Sequence, residues 1–406
     1  MTTTVHPGNA LSHRQKLVYI LVLGLLTALG PFTIDLYLPA FPVIGHELGV
    51  SATAVQLTLT ATTIGFAAGQ LVVGPFSDKF GRRMPLILAT ALHVGASIGA
   101  ALSTDITMLG VFRVLQGIGA AGGGVVAMAM VRDLFGGYQL VRMLSRMALV
   151  NGMAPILAPV IGSQLLGIMD WPGIFWFLAA YGALVVVAAS VFIVETLPHE
   201  KRKSNGVSVA DRYRAVFSDR IFVGTLFVGG LNFAALFTYL SASTFLFQTT
   251  FGFTPQQYGY LFAVNSLGVV SGVQAASRIM RHTGPQWVIA GATAAQVAAA
   301  VAMIVCDQLG LGLWGVIVPL WFFICATGFM FPSVQVMGLA RNGSQAGTAA
   351  SLLGAVTFGF AGIITPVVGF VGVTTATPMA IIMGGSILLA IAALWLIVRP
   401  RTVPQI

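Results

Sequence analysis

The chain alternates between long apolar runs and short polar turns. A helix needs ~20 apolar residues to cross a bilayer. Twelve runs meet that length: residues 17–39, 52–75, 84–103, 107–131, 139–168, 172–195, 220–247, 255–277, 286–305, 311–338, 346–371 and 376–398. One connection stands apart, residues 196–219, which holds His199, Glu200, Lys201, Arg202, Lys203, Arg212 and Arg214. It reads as a linker between an N-terminal six-helix bundle, 1–195, and a C-terminal one, 220–406. The pattern predicts an all-α polytopic membrane protein with twelve transmembrane helices in two pseudo-symmetric six-helix bundles.

Charge placement sharpens that topology. With an even number of spans both termini share one side, and every Lys and Arg except Arg113 falls on it. The opposite turns carry Glu47, Asp105, Asp170 and Asp307. Cytoplasmic loops collect cations, so both termini are expected to be cytoplasmic. The halves also repeat. Ala158-Pro159-Val160-Ile161-Gly162 returns as Thr365-Pro366-Val367-Val368-Gly369, about half the chain further on. Val131-Arg132-Asp133 has a weak echo in Ala340-Arg341-Asn342, and residues 74–83 have a degenerate one in residues 278–284. Ordered matches at similar offsets fit a duplicated six-helix unit.

Composition then removes several function classes. The chain is 57% hydrophobic and 8% charged, with a mean hydropathy of +0.92, which excludes a soluble domain. Its net charge of +9 suggests nucleic acid, but the cations are scattered between apolar spans as topology requires, so no nucleic-acid partner is expected. Cys306 and Cys325 offer neither a disulfide framework nor a metal spacing. The first apolar run is too long for a signal-peptide core and no small-residue cleavage site follows. There is no phosphate loop, HExxH, carboxylate pair or nucleophile motif, so neither an enzyme nor an ATP-driven pump is expected.

Residues 74–83, Gly-Pro-Phe-Ser-Asp-Lys-Phe-Gly-Arg-Arg, are expected to form a tight charged turn at the membrane surface, with Gly74 and Gly81 permitting the reversal. Gly74, Asp78, Gly81, Arg82 and Arg83, with Arg132 and Asp133, are the candidate gating residues. Two charges lie inside the spans, Asp35 late in the first and Arg113 early in the fourth. Each is expected roughly 6–9 Å below the outer end of its helix, so both could face one cavity. Intramembrane charge is expensive and usually functional. One reading is a fixed Asp35–Arg113 bridge holding two helices together. The other is a proton site, in which desolvation favours the neutral acid and a nearby cation opposes it. Arginine keeps its charge, so Arg113 would tune Asp35 rather than carry the proton.

The fifth span holds Gly152, Pro155, Pro159 and Gly162, which read either as ordinary close packing or as a rocking seam with Pro366 as its symmetric partner. The glycine stripe at 117, 119, 122, 123 and 124 carries the same two readings. Tyr37, Gln116, Asn151, Tyr239 and Asn265 are candidate substrate contacts, with Phe262, Trp321 and Phe358 as apolar walls. His93 reads as an isolated packed polar residue.

Together the loop at 74–83, the string Leu-Gly-Pro-Phe-Thr-Ile-Asp-Leu-Tyr-Leu-Pro-Ala-Phe-Pro at 29–42, Arg113-Val114-Leu115-Gln116-Gly117 and the Pro-rich fifth span resemble the major facilitator superfamily over essentially the whole chain. Within it they resemble the twelve-helix drug:H+ antiporters of the bicyclomycin-resistance/CflA group. That resemblance implies export of small amphipathic drugs, such as phenicols and bicyclomycin, across a bacterial inner membrane. The proton gradient would be the energy source, with no cofactor and no metal, and the expected partners are drug, protons and the lipid bilayer, for a chain acting as a monomer. It implies that Asp35 is the protonated acid, that Asp78 caps the eleventh helix near Ala346, and that Asp133 pairs with Arg82. Two departures stand out. Ala154-Pro155 and Ala158-Pro159 replace a textual Gly-Pro pair, and residues 25–28 lack the second acid of some relatives. The alternatives are a symporter or uniporter for a sugar or other metabolite, and a membrane enzyme or receptor.

Overall fold

The computed structural model describes residues 8, 11–198, 202, 214–340 and 346–403. Most of the expected linker, residues 199–201 and 203–213, lies outside them, as do Arg341 and Asn342. Among the described residues, twelve long helices follow one another. They are α1 (His13–Asp35), α2 (Ala52–Phe80), α3 (Arg83–Ala101), α4 (Ile106–Leu134), α5 (Gly137–Leu165), α6 (Pro172–Phe192), α7 (Arg220–Phe245), α8 (Pro255–Thr283), α9 (Pro285–Gln308), α10 (Gly312–Leu339), α11 (Ala346–Val371) and α12 (Ala376–Ala393). Among the described residues, ten helical segments are long and apolar enough to cross a membrane. α8, which is not among them, carries Gln256, Gln257, Asn265, Arg278 and Arg281, and the described stretch Gly152–Leu165 of α5 is a shorter apolar helix. They pack against each other, where polar side chains find partners instead of lipid.

Helix starts follow local chemistry. Ser12 and Thr254 make capping boxes with Gln15 and Gln257, and Ser51 and Asp105 cap α2 and α4 with their side chains.

Two sequence expectations about element limits change. The first span ends at Asp35, not near Pro39. Pro39 and Pro42 lack the N–H groups that would continue the helix. The chain instead turns through a 3-10 segment, Leu38–Ala40, and resumes as a short helix, Phe41–Glu47. Residues 74–80 are not a turn. They are the last two turns of α2, and the reversal is confined to Gly81 and Arg82. Gly81 has φ +95°, and a Cβ there would lie 2.5 Å from the Glu195 carboxylate. Gly74 sits in the helix and faces Ser351 of α11.

Hydrophobic packing differs between the two ends of the bundle. At the end away from the termini, one continuous core draws on all twelve helices, from Leu29, Tyr37 and Phe41 through Phe175 to Phe237, Tyr258, Phe323 and Ile387. At the terminal end there are two separate cores. One joins α1, α3, α4, α5 and α6 around Leu23, Leu86, Met130 and Met147; the other joins α7, α9, α10, α11 and α12 around Phe222, Ile289, Met337 and Leu394. Side-chain hydrogen bonds between the two sets of six reinforce the far end. Gln248 Nε2 donates to Pro39 O (3.1 Å), Gln56 Nε2 to Ser241 O (2.9 Å), Thr53 Oγ1 to Gly369 O (2.9 Å) and Gln256 Nε2 to Ser163 O (3.0 Å).

The small residues divide between the two readings offered for them. In α4, Gly117 packs on the α2 backbone, and Gly119 and Gly122 on α3 and α2, all within the first six helices. In α5, the Pro155 and Pro159 carbonyls face Ser266 and Gly259 of α8, Gly152 faces Val270, and a Cβ at Gly162 would overlap the Leu36 carbonyl. That face is therefore a contact with the other six helices and with the break after α1. Gly117→Ala forces a methyl against the Thr62 carbonyl and is expected to destabilise the protein by about 1–3 kcal/mol. Gly124→Ala enters open space and should leave thermal unfolding in detergent unchanged.

Candidate functional site

The break after α1 leaves Asp35 as the helix's last residue, yet only 6% exposed, because the chain continues past it into the far-end core. Its carboxyl group has no hydrogen-bond or ion-pair partner among the described residues. It lies close enough to the hydroxyls of Tyr239 (α7) and Tyr258 (α8) to act on them electrostatically.

Arg113 is fully buried in α4 and does not pair with Asp35. Its Nη2 donates to the backbone carbonyl of Thr33 (2.9 Å) and its Nη1 to Gln116 Oε1. The guanidinium lies over the Tyr37 ring at 3.8 Å and near Phe175 at 5.6 Å, contacts that suit a desolvated cation. Gln116 Nε2 donates to Ser97 Oγ (2.8 Å), and Ser97 Oγ to His93 O (2.7 Å). His93 Nε2 sits 2.9 Å from Thr33 Oγ1, whose proton is given to Leu29 O (2.6 Å). A ring of polar contacts therefore runs through α1, α3 and α4. The sequence pairing of Asp35 with Arg113 is thus replaced, in this arrangement, by a tie to the backbone two residues earlier. His93, read from sequence as isolated, belongs to that tie. No linear spacing signals it, because His93 and Thr33 meet only through helix packing.

The remaining candidates separate. Tyr37 and Gln116 are buried and both engage Arg113; Tyr37 also approaches Thr58 Oγ1 at 3.3 Å. Tyr239 and Asn265 come together, with Asn265 Nδ2 donating to the Tyr239 hydroxyl (3.0 Å). Asn265 Oδ1 is buried without a partner, and Tyr239 stacks on Phe262 at 5.6 Å. Phe358 stacks on Phe66 across the two sets of helices, at 4.7 Å. Trp321 donates Nε1–H to Val264 O (3.3 Å). The Asn151 side chain lies outside the described residues.

The gating candidates cluster at the terminal end. Arg82 Nη1 meets Asp78 Oδ1 (2.6 Å) and Ser77 Oγ (2.8 Å), and its Nε meets Asp133 Oδ2 (2.8 Å). Burial works against the Arg82 charge, but Asp133 and Asp78 outweigh it and hold the guanidinium above its ordinary value. The residues just before Ala346, where Asp78 was expected to act as a cap, lie outside the described set. Arg132 is exposed beside Asp133. Glu195, which the sequence reading passed over, closes the cluster. It accepts the backbone N–H groups of Arg82 (2.8 Å), Arg83 (3.2 Å) and Leu197 (2.9 Å), with Arg202 3.7 Å away. Arg83 Nη2 reaches Ser190 O (2.6 Å). The one available signal was an acid at the very end of the sixth span, on the side otherwise rich in cations.

Comparison with known proteins identifies the frame. Residues 23–366 match the Major Facilitator Superfamily. The chain belongs to that superfamily. It is therefore a multi-pass transporter and not an enzyme, which removes the enzyme alternative. It is 34% identical over 373 residues to the uncharacterized MFS-type transporter YdgK of Bacillus subtilis (strain 168), covering 91% of this chain and 92% of that one. It is 32% identical over 388 residues to the bicyclomycin resistance protein homolog of Haemophilus influenzae, covering 94% and 96%. Among solved structures, the partially occluded inward open conformation of the xylose transporter XylE from E. coli has the same fold, with TM-score 0.76, 12% identity and coverage of 97% and 98%.

The terminal-end cluster around Glu195 has a pH dependence of its own. Burial pushes the Glu195 carboxyl up, but three backbone N–H groups and Arg202 more than offset it, so it sits below its ordinary value. A depressed acid stabilises the fold above its unfolded-state value, and that contribution disappears as pH falls through the folded-state value. Glu195→Ala should lower the melting temperature at neutral pH, with the gap to wild type closing as the pH is taken into the acid range.

Proposed function

We propose that this transporter exports small amphipathic drugs in exchange for protons by alternating access, with Asp35 as the proton site and both termini in the cytoplasm of a bacterial cell. The observation that carries the reading is the Asp35 carboxyl, buried and without a hydrogen-bond or ion-pair partner among the described residues, while the buried cation Arg113 is held by the Thr33 carbonyl and Gln116. An unpaired carboxylate in such a place is costly, so the arrangement accommodates the proton-bound acid. The named relative in Haemophilus influenzae, a bicyclomycin resistance protein homolog, supports bicyclomycin-like molecules as cargo, and the sequence resemblance adds phenicols to that class.

The far end, which would face outward, is sealed by the shared core. The terminal end, with its two separate cores, is the side from which a lipophilic drug would enter. Tyr239, Asn265 and Phe262 offer a hydrogen-bonding edge and an aromatic face for it, and the buried Asn265 Oδ1 leaves an acceptor open. Drug arriving near Asp35 favours loss of the proton. The new carboxylate then competes with the Thr33 carbonyl for Arg113. Moving Arg113 toward Asp35 displaces the segment 36–40, whose Pro39 carbonyl holds Gln248 and whose Leu36 carbonyl packs on Gly162. In that way deprotonation loosens the far-end seal. Reprotonation of Asp35 from outside releases the drug and resets the cycle. Flux is driven only by what drug and proton do differently to the two states. The cluster around Arg82, Asp78, Asp133 and Glu195 steadies the first six helices while they rock against the second six.

Adding a phenicol to the detergent-purified protein should release protons from wild type. Asp35→Asn should still bind the drug and release none. Proton release that persists in Asp35→Asn would remove Asp35 from the mechanism.

A further inference from the structure

His93 takes no part in the exchange just described, yet it is a fully buried imidazole on the back of the proton site. The Thr33 hydroxyl can give its proton to Leu29 O and Nδ1 has no partner, so we assign the imidazole proton to Nε2, which donates it to Thr33 Oγ1 at 2.9 Å. That leaves Nδ1 as the unprotonated nitrogen, buried with no partner and facing Gly182 of α6. A Cβ at Gly182 would stand 3.2 Å from Nδ1. His93 therefore has one polar contact through its ring, and that contact lies on the residue whose carbonyl holds Arg113.

We propose that His93 is a positioning residue: through Thr33 it fixes the last turn of α1, so that the Thr33 carbonyl keeps Arg113 apart from Asp35 until Asp35 has lost its proton. The proposal rests on the reading of Asp35 as the proton site. It follows from the order of contacts along α1. The side chain of Thr33 is anchored by α3, its carbonyl by α4, and Asp35 is two residues on. Releasing the α3 anchor frees the turn to rotate, and Arg113 exchanges a neutral carbonyl for a carboxylate, which is the stronger partner. The other titratable or charged groups around this point are Tyr37 after the break, Tyr181 of α6, Tyr239 of α7 and Tyr258 of α8. All are phenols, which stay neutral where a carboxyl titrates. Arg113 is thus the cation whose position sets the behaviour of Asp35.

The test is the pH profile of drug-induced proton release by the full-length protein, using a phenicol as the probe. The alkaline limb of that profile reports proton loss from the drug-free protein. His93→Leu removes the N–H donor and is expected to shift that limb to lower pH by roughly one unit or more, as a cation approaching a carboxyl does. Thr33→Val, which removes the acceptor with little change of shape, should shift it the same way and decides the matter if His93→Leu does not fold. His93→Gln places an amide N–H near the same point and should keep the limb at its wild-type position. An unmoved limb in His93→Leu or, if that variant does not fold, in Thr33→Val overturns the proposal, and so does His93→Gln moving as far as His93→Leu. Asp35→Asn separates the two readings. If it abolishes release while the His93 and Thr33 variants leave the limb in place, the proton site stands and the positioning role falls. If release survives in Asp35→Asn, both fall.

Discussion

A guanidinium that keeps its charge at any accessible pH is buried in the middle of a membrane protein with no carboxylate on it. Placing an arginine at such a depth costs on the order of 3 kcal/mol or more, and the fold around Arg113 is arranged to offset that. The Thr33 carbonyl, the Gln116 amide and the faces of Tyr37 and Phe175 surround it. The helix break after Asp35 follows from the same need, because it turns Tyr37 back over the guanidinium instead of carrying it along the helix axis. The two prolines that enforce the break also leave a free carbonyl at Pro39, and that carbonyl is the acceptor for Gln248 at the far-end seal. Holding one cation, breaking one helix and closing one end of the bundle are parts of one arrangement.

The uneven distribution of core gives this arrangement its leverage. Twelve helices share apolar packing at one end and divide it between two groups of helices at the other. Packed interiors do not deform continuously, so relative motion concentrates where polar contacts and small residues replace interlocked side chains. The α5–α8 contact is such a place: its α5 face presents Gly152 and the carbonyls of Pro155 and Pro159 to Val270, Ser266 and Gly259. The α2–α11 contact is its counterpart, with Gly74 against Ser351 and Gly369 against Thr53 and Gln56. By contrast, the α4 glycines bind α4 to α2 and α3 as one block, so that Arg113 moves with the first six helices.

The fold was legible because a bilayer imposes a length and a charge asymmetry that a linear pattern records directly. Asp35 and Arg113 stood out for the same reason, as the two charges within apolar runs. What the sequence could not express was which groups they meet. Charge complementarity alone pairs Asp35 with Arg113, but in the fold Nη1 and Nη2 donate to a glutamine and a carbonyl within reach, the buried Nε has no partner, and the acid goes without. His93 was read as isolated and Glu195 was passed over because their partners are a hydroxyl on another helix and three backbone N–H groups at a turn, none of which leaves a spacing to read. The stretch at 74–80 misled for a different reason. Charge and proline suggested a loop, yet a proline is tolerated in a membrane helix, and Asp78 near the end of α2 reaches Arg82 just past the reversal.

The proton site is reached most directly by infrared difference spectroscopy of the reconstituted protein as drug is added. If Asp35 is a protonated buried carboxyl that gives up its proton to drug binding, a carboxylic-acid band disappears on addition, a carboxylate band grows, and neither change occurs in Asp35→Asn. A wild-type spectrum in which drug binds and no carboxylic-acid band is lost, or one in which the loss survives in Asp35→Asn, would contradict it.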